Sequence, residues 1–174
     1  MLSHPPPAVV LMGVSGAGKT AVAKAAAALA DLPFIDADDL HPAANVAKMV
    51  AGHPLNDDDR APWLDAVASA LRNEAPCIMA CSALRAAYRN RLRADAPRTV
   101  FVLLNLDRRT LERRLAARSG HFMTAALLDS QLAALETPGP GEGVVVLDAA
   151  RPIDELAAAV AALAVAALAA PRVD

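Results

Sequence analysis

The feature that most constrains this chain is the segment Gly-Val-Ser-Gly-Ala-Gly-Lys-Thr, which begins at Gly13. It fits the pattern G-x-x-x-x-G-K-[ST] and lies between an apolar run at 8–12 and an Ala-rich stretch at 21–30, which predict a strand before it and a helix after it. Glycines let the backbone turn its N–H groups inward, and these donors and the helix N-terminus bind a polyphosphate. The segment therefore predicts a nucleoside triphosphate site rather than a chance glycine turn. Its predicted binding residues are Gly13, Val14, Ser15, Gly16, Ala17, Gly18, Lys19 and Thr20.

Two side chains of this phosphate loop carry chemistry. Lys19 is predicted to reach the β- and γ-phosphates, and the Thr20 hydroxyl is predicted to ligate Mg²⁺. The motif alone does not separate a kinase from a GTPase or an ATPase. The chain has no T-K-x-D or N-K-x-D guanine-reading sequence, and its 174 residues leave no second domain to couple hydrolysis to mechanical work. A small kinase that uses ATP is therefore favoured.

Strand and helix signals alternate along the chain. Short apolar runs predict strands at 8–12, 34–35, 77–81, 99–104 and 144–147. Helices are predicted at 21–30, 41–50, 56–72, 84–94, 107–118, 125–135 and 152–170. Such alternation is typical of a parallel sheet covered by helices on both faces. We therefore expect an α/β fold with a five-stranded parallel sheet, in one domain over residues 1–174.

Charge and hydropathy argue against several kinds of partner. The chain has 17 Lys and Arg against 19 Asp and Glu, a net charge of -2, so it has no general attraction to nucleic acid or acidic membranes. The longest apolar run, 156–170, is Ala-rich and falls short of the roughly 20 residues that a membrane span needs, so it predicts a packed helix.

Cys77 and Cys81 lie about 13 Å apart in a predicted strand, too far for a disulfide. With no recognisable signal peptide, buried thiols and a cytoplasmic protein are favoured.

Carboxylates follow the second predicted strand. Asp36 and Asp38 are two apart, so an extended backbone places them on the same side. Sheets of this kind bind ligands at the carboxyl ends of their strands. We predict that Asp36 lies on the metal side and that Asp38 accepts the proton of an attacking hydroxyl. The alternative is that Asp38 or Asp39 merely caps the next helix.

Several further motifs follow the phosphate loop in chain order. They are Asp36-x-Asp38-x-x-His41-Pro42, Asn45-x-x-Lys48-Met49, Pro54-Leu-Asn-Asp-Asp-Asp-Arg60-x-Pro-Trp63, Cys81-Ser82-Ala-Leu84 and Gly120-His121-Phe122. With the loop, they make the chain from about residue 10 to residue 152 resemble the bacterial gluconokinase family. The resemblance implies a three-layer P-loop kinase fold with a small lid at about 118–125. It also implies that ATP phosphorylates D-gluconate at the C6 hydroxyl, giving 6-phosphogluconate and ADP.

The resemblance implies an acceptor site as well. Gluconate is an anionic polyol, so its site needs cations for the carboxylate and polar groups for the hydroxyls. Arg60 and Arg85 are the first choices for the acid end, because arginine binds carboxylates with two parallel hydrogen bonds. For Lys48 and Arg89 the alternative is a solvated helix face. The predicted substrate-binding residues are Asp38, His41, Asn45, Lys48, Arg60, Ser82, Arg85, Arg89 and His121.

Two other parts of this region have more than one interpretation. The aspartates at 57–59 either start a helix, or one of them orients Arg60 or a sugar hydroxyl. Trp63, the single tryptophan, is expected to pack in the core beside the pocket rather than to stack on the sugar.

An arginine cluster precedes the expected lid. Arg114 and Arg118 are four apart and share one helix face. In the small kinases that this chain resembles, such arginines stack on adenine and close over the transferring phosphate. We therefore assign Arg114 to the base and Arg118 to the phosphates and to catalysis, the alternative being a solvated cationic face. His121 is expected to contact the substrate from the lid, and the resemblance also suggests a homodimer.

Two other functions are compatible with the sequence. One is a kinase of the same fold that acts on shikimate or a related polyol acid. The other is a non-catalytic, nucleotide-dependent sensor of gluconate, which would be expected to lack Lys19 or the acidic pair, and both are present. Ala43 and Ala44 stand where relatives often have basic residues, and Met123 stands where a second aromatic is common, so acceptor affinity and lid packing are left open.

Overall fold

The computed structural model describes residues 6–117 and 125–171. The strands are β1 (Val9–Met12), β2 (Phe34–Asp36), β3 (Ile78–Ala80), β4 (Val100–Asn105) and β5 (Val145–Asp148). The helices are α1 (Lys19–Ala30), α2 (Ala43–Val50), α3 (Asp57–Glu74), α4 (Ala86–Asp95), α5 (Arg108–Ala116), α6 (Ala125–Ala134) and α7 (Ile153–Ala169). A short 3₁₀ helix, Ala37–Leu40, follows β2 and was not predicted. All other elements begin and end within about two residues of their predicted bounds.

Two helix starts differ from the prediction for local reasons. Helix α1 begins at Lys19, directly on the phosphate loop, because Gly18 serves as its N-cap in a left-handed conformation. Helix α2 begins only after Pro42. His41 keeps an extended backbone, with φ -66° and ψ 134°, because the residue before a proline is disfavoured in the helical region.

The five strands form one parallel sheet in the order β2-β3-β1-β4-β5. At the carboxyl edge, Asp36 is paired with Ala80, and Met12 with Leu103. The segments that leave β1, β2 and β3 therefore open at the same edge of the sheet. Parallel α/β sheets bind their ligands at this edge.

Helices cover both faces of the sheet. Leu11, Ile78 and Val102 face a core formed with α1 and α7. Val10 and Phe101 point the other way, into a core formed with α3 and α4. This alternation is the period-two pattern of strands that are buried on both sides. The expected three-layer α/β arrangement is confirmed.

The terminal helix and the cysteines also behave as expected. Helix α7 buries one face, including Leu156 and Val160, against the sheet core. Among the described residues no helix has the length and apolar character that crossing a membrane requires. Cys77 and Cys81 are buried and unpaired with each other, and burial raises the pKa of their thiols to about 11 and about 12. Both thiols are therefore neutral and unreactive near pH 7.

Candidate active site

The phosphate loop is shaped by glycines between β1 and α1. Gly16 and Gly18 have φ angles of 86° and 98°, a region that residues with side chains rarely adopt. A Cβ on Gly16 would lie 3.1 Å from Leu115 Cγ, so α5 packs on the loop too closely for a larger residue. Gly18 has no side chain to cap the first amides of α1. The loop therefore presents backbone donors and a helix N-terminus to an anion.

Lys19 begins the first turn of α1 and folds back over the loop. Its Nζ donates to the Val14 carbonyl at 3.1 Å. The side chain is half-buried and lines the cleft described below. A cation in this place is well positioned to meet the charge of a terminal phosphate.

Thr20 joins the phosphate loop to the end of β2. Its hydroxyl donates to Asp36 Oδ2 at 3.0 Å, and Asp36 Oδ1 accepts the Asp38 N–H at 3.1 Å. Asp36 is thus the cap of the 3₁₀ helix, which corrects the alternative that Asp38 or Asp39 caps the next helix. The contact places a hydroxyl and a carboxylate side by side where β1 and β2 end.

The Thr20 and Asp36 oxygens suit a magnesium ion. Mg²⁺ prefers oxygen ligands, and its usual sites combine one or two protein groups with water and substrate phosphates. Within 6–117 and 125–171, no group of three or more His, Cys, Asp or Glu side chains is placed to hold a metal alone. The donor set of one hydroxyl and one carboxylate therefore fits a divalent cation whose other ligands are water and nucleotide phosphates.

One cleft opens beside the loop at the carboxyl edge of the sheet, and we call it the central cleft. The predicted site residues that line it are Ser15, Lys19, Asp38, His41, Arg60 and Ser82. Its wall also contains the largely apolar side chains of Met49, Pro54, Leu55, Trp63, Leu84 and Leu127. The cleft therefore gathers cations, a carboxylate and hydroxyls around a space next to the phosphate loop, as a small polar substrate requires.

Trp63 and His41 form a stacked pair in this wall. Their ring centroids are 4.5 Å apart and their planes differ by 9°. Trp63 is 1% exposed, and its Nε1 donates to the Ala37 carbonyl at 2.7 Å. Trp63 thus belongs to the core beside the cleft, as the sequence indicated, and it supports the imidazole.

The tautomer of His41 follows from its neighbours. Asn45 Nδ2 donates to the Asp59 carbonyl at 2.7 Å, which identifies this atom as the amide nitrogen, and the same atom lies 3.3 Å from His41 Nδ1. His41 Nδ1 is therefore the acceptor, and the proton of the neutral ring is on Nε2. Burial lowers the pKa of His41 below 6.5; Asp38 opposes this shift and Arg60 adds to it. The ring is thus neutral near pH 7 and carries its proton on Nε2.

Lys48 is bound to the start of α3 and does not line the central cleft in the described structure. Its Nζ lies 2.6 Å from Asp59 Oδ2, which also accepts the Asn56 N–H at 2.8 Å. Asn56 Oδ1 in turn accepts the Asp59 N–H at 2.8 Å, which completes a capping box. The hydrogen bond from Lys48, followed by that from Asn56, lowers the pKa of Asp59. The aspartates at 57–59 do start a helix, and Lys48 and Asn45 support the site from outside its wall.

Asp57 connects the two arginines that were assigned to the acid end. Its Oδ2 lies 2.8 Å from an Arg85 amino group, and its Oδ1 lies 3.9 Å from Arg60. The Tyr88 hydroxyl also donates to Asp57, and both guanidinium groups lie 5.9 Å from the centre of the Tyr88 ring. Arg60 faces both the central cleft and an adjoining depression, whereas Arg85 lines the depression. Asp57 is thus close to Arg85, whereas its separation from Arg60 is too long for a hydrogen bond, and the alternative that one of these aspartates orients Arg60 or a sugar hydroxyl stays a prediction.

Arg89 does not reach the cleft, which corrects both expectations for it. The residue is 0% exposed, and its guanidinium lies 2.8 Å from Glu142. It also donates to the carbonyls of Ala83 and Leu84, each at 3.2 Å, and of Glu136 at 3.4 Å. A buried guanidinium needs such partners to offset its lost hydration. Arg89 is a structural cation, neither a substrate contact nor part of a solvated helix face.

Another hollow lies on the α5 side of the phosphate loop. It is lined by Gly16, Ala17, Gly18, Ala21, Val22, Arg114, Ala117, Ala149, Arg151, Ile153 and Leu156. Arg114 donates to the Ala149 carbonyl at 2.9 Å and to the Ala17 carbonyl at 3.4 Å. The predicted arginine for the base therefore borders a partly apolar space beside the loop. Arg151 and Ile153 belong to this space without any motif that marked them.

Helix α6 contributes cleft residues that the sequence motifs did not indicate. Leu127, Ser130 and Gln131 line the central cleft, and Gln131 contacts the phosphate loop. Their spacing of three and four on a predicted helix was the available signal, but it did not say which part of the molecule they face. The predicted residues Arg118 and His121 lie outside the described residues.

Comparison with known proteins agrees with this geometry. A family model described as an AAA domain matches residues 9–138. The thermosensitive gluconokinase of Escherichia coli (strain K12) is 46% identical over 141 residues, which cover 79% of this chain and 75% of that protein. An unliganded sugar kinase from Janibacter sp. HTCC2649 has a TM-score of 0.86 at 41% identity, covering 95% of this chain and 96% of its own. A gluconokinase from Sinorhizobium meliloti 1021 has a TM-score of 0.81 at 42% identity, with coverages of 95% and 93%. The sequence, the phosphate loop and the fold together establish that this chain belongs to the gluconokinase family of P-loop kinases.

Proposed function

We propose that this chain transfers the γ-phosphoryl group of ATP to the C6 hydroxyl of D-gluconate. The observation that carries the proposal is one cleft lined by Lys19, Asp38 and Arg60. Phosphorylation of a hydroxy acid needs a donor site, a proton acceptor and an anion site within one space. Relatives named gluconokinase support the choice of gluconate over other hydroxy acids.

The proposed step is an in-line displacement at the γ-phosphorus. The C6 oxygen forms a bond to phosphorus while the bond to the β,γ-bridging oxygen breaks, and ADP leaves with that oxygen. The hydroxyl proton passes to the carboxylate of Asp38. Asp38 is suited to this role because its side chain lines the cleft while its backbone N–H is fixed by Asp36.

The phosphate loop and Lys19 bind the donor. Backbone N–H groups of the loop and the N-terminus of α1 hold the phosphates. Lys19 exchanges the Val14 carbonyl for a phosphate oxygen and stabilises the charge of the transferring group. Thr20 and Asp36 would hold Mg²⁺, which neutralises phosphate charge when it is bound. Arg114 borders the proposed site of the adenine.

The acceptor is held by an anion site and by polar donors. Arg60 is the first contact for the gluconate carboxylate, because its 3.9 Å separation from Asp57 leaves it less engaged than Arg85 at 2.8 Å. His41 donates from Nε2 and Ser82 offers a hydroxyl, so both can bind hydroxyls of a polyol. Lys48 and Asn45 act indirectly, by fixing the start of α3 and the imidazole of His41.

Several wider expectations belong to the same proposal. The lid that the resemblance implies at about 118–125, with Arg118 on the phosphates and His121 on the substrate, stays a prediction, because Arg118 and His121 lie outside the described residues. The chain is one domain that acts in the cytoplasm as a homodimer, without a nucleic acid or membrane partner; its net charge of -2 supports the last point.

The role of Asp38 is tested by Asp38→Asn, with Asp39→Asn as the matched control. Asp39 is its exposed neighbour in the same 3₁₀ helix and does not line the central cleft within the described chain. Loss of the base should lower kcat about 10²–10⁴-fold. The control should stay within about twofold of the wild type, as exposed substitutions usually do. Wild-type turnover by Asp38→Asn would exclude Asp38 as the base.

A further inference from the structure

Gln131 forms a direct link between helix α6 and the phosphate loop. Its Oε1 accepts the Ser15 N–H at 2.7 Å, across 116 residues of sequence. A backbone N–H can only donate, so the oxygen of the amide must face the loop. The two N–H groups of Nε2 then form the other end of the same planar amide. Gln131 also lines the central cleft together with Lys19 and Asp38.

Contacts just after the C-terminal end of α6 fix the helix that carries Gln131. Directly after α6, the Glu136 N–H donates to the Leu84 carbonyl at 2.8 Å, and its carboxylate accepts the Ala86 N–H at 2.8 Å. These contacts fasten α6 to the segment between β3 and α4, which supplies Ser82 to the cleft. Helix α6 is therefore joined to the phosphate loop through Gln131 and to this acceptor-side segment through Glu136.

We propose that Gln131 is a positioning residue that couples nucleotide binding to acceptor binding. Its Oε1 holds the Ser15 amide and thereby the shape of the phosphate loop, while its Nε2 donates to a hydroxyl of a polyol acceptor in the cleft. One side chain thus contacts both halves of the reaction. This inference rests on the proposed function, because it requires a polyhydroxy acid in the central cleft.

The coupling has a thermodynamic consequence that can be measured. A ligand that favours this orientation of the Gln131 amide also favours the arrangement that the other ligand binds. A nucleotide should therefore tighten gluconate binding, and gluconate should tighten nucleotide binding by the same factor. Couplings of this kind correspond to factors of about 5–150.

The test is calorimetric titration of gluconate with and without Mg²⁺ and the non-transferable analogue β,γ-imido-ATP. The wild type should bind gluconate at least about fivefold more tightly when the analogue is present. Gln131→Met keeps the length of the side chain and removes both ends of the amide, so the ratio should fall to about one. The control Asp129→Asn alters only an exposed ion pair with Arg108 on the same helix, and it should keep the wild-type ratio.

A second variant separates the role of the amide oxygen from the role of the amide N–H groups. Gln131→Glu keeps an oxygen for the Ser15 N–H but lacks the donor. Its added negative charge also opposes the phosphates of the analogue, so the diagnostic quantity is the ratio of gluconate affinities, which should fall to about one. A wild-type ratio of one, or an unchanged ratio in a folded Gln131→Met, would overturn the inference. Turnover of gluconate by the wild type is measured in the same preparations. Its absence would refute the proposed function, whereas turnover without coupling would refute the role of Gln131 alone.

Discussion

At the scale of single residues, the site depends on hydrogen bonds that fix which atom donates. Asn45 bonds to the Asp59 carbonyl and so presents an N–H to His41. Nδ1 of the imidazole is therefore an acceptor, and Nε2 carries the proton. Protonation of the ring would place two N–H groups face to face, which adds to the effect of burial. The polyol contact that we propose for His41 depends on this neutral form.

We predict that His41 titrates below its ordinary pKa of 6.5, since burial disfavours the charged ring. The unfolded chain then binds more protons than the folded chain between the two pKa values. Stability should therefore decline as the pH falls from about 6.5 through the folded-state pKa. Imidazole NMR titration measures the shift, and the missing signal of His41→Gln assigns it. A His41 pKa at or above 6.5 would contradict the buried neutral ring.

We also expect Arg60→Met to weaken gluconate binding selectively. Hydrogen bonds to charged groups contribute about 1.5–3 kcal/mol, so the KM for gluconate should rise about 10–150-fold. The KM for ATP should change little, because Arg60 lines the acceptor side. The control Arg91→Met removes the same charge from an exposed position on α4, where Arg91 pairs with Asp65 and Asp95. Equal effects of both substitutions on the gluconate KM would refute a specific anion site at Arg60.

At the scale of secondary-structure elements, the site is formed where strands end and helices begin. The loop ends on the first turn of α1, Asp36 ends β2, and the capping box starts α3. Helix α4 is held to its surroundings by Arg89, whose partners lie in the segment before α4 and in the chain after α6. Such contacts place the elements accurately while leaving the polar groups of the cleft for a ligand.

This view of Arg89 predicts a loss of stability without a loss of specificity. Arg89→Met leaves three carbonyls without their donor and removes the ion pair with the partly exposed Glu142, so the free energy of unfolding should fall by about 3 kcal/mol. Arg72→Met removes an exposed ion pair with Asp95 and should cost less than about 1 kcal/mol. Denaturant unfolding measures both values, and kinetics at low temperature give the gluconate KM. A large rise in that KM with unchanged stability would restore Arg89 as a substrate contact.

At the scale of the whole molecule, the features that could be predicted from the sequence are those set by residues close together in the chain. Apolar runs located the five strands, and glycines, prolines and acidic clusters located the phosphate loop and the helix starts. The parallel sheet then explains why residues after β1, β2 and β3 meet. The Arg89–Glu142 and Ser15–Gln131 contacts join residues 53 and 116 apart in sequence, and no local pattern marks such partners. The burial of Arg89 and the place of Gln131 therefore required the fold.

Phosphorylation of gluconate by this protein is tested by the initial rate of ADP formation from Mg-ATP. The acceptors to compare are gluconate, shikimate, glucose, glycerate and AMP, with a sample lacking acceptor and the Asp38→Asn variant as controls. We predict that gluconate alone raises the rate above the sample without acceptor, and that Asp38→Asn abolishes most of this rise. An equal or greater rise with another acceptor, or no rise with gluconate, would show that gluconate is not the acceptor.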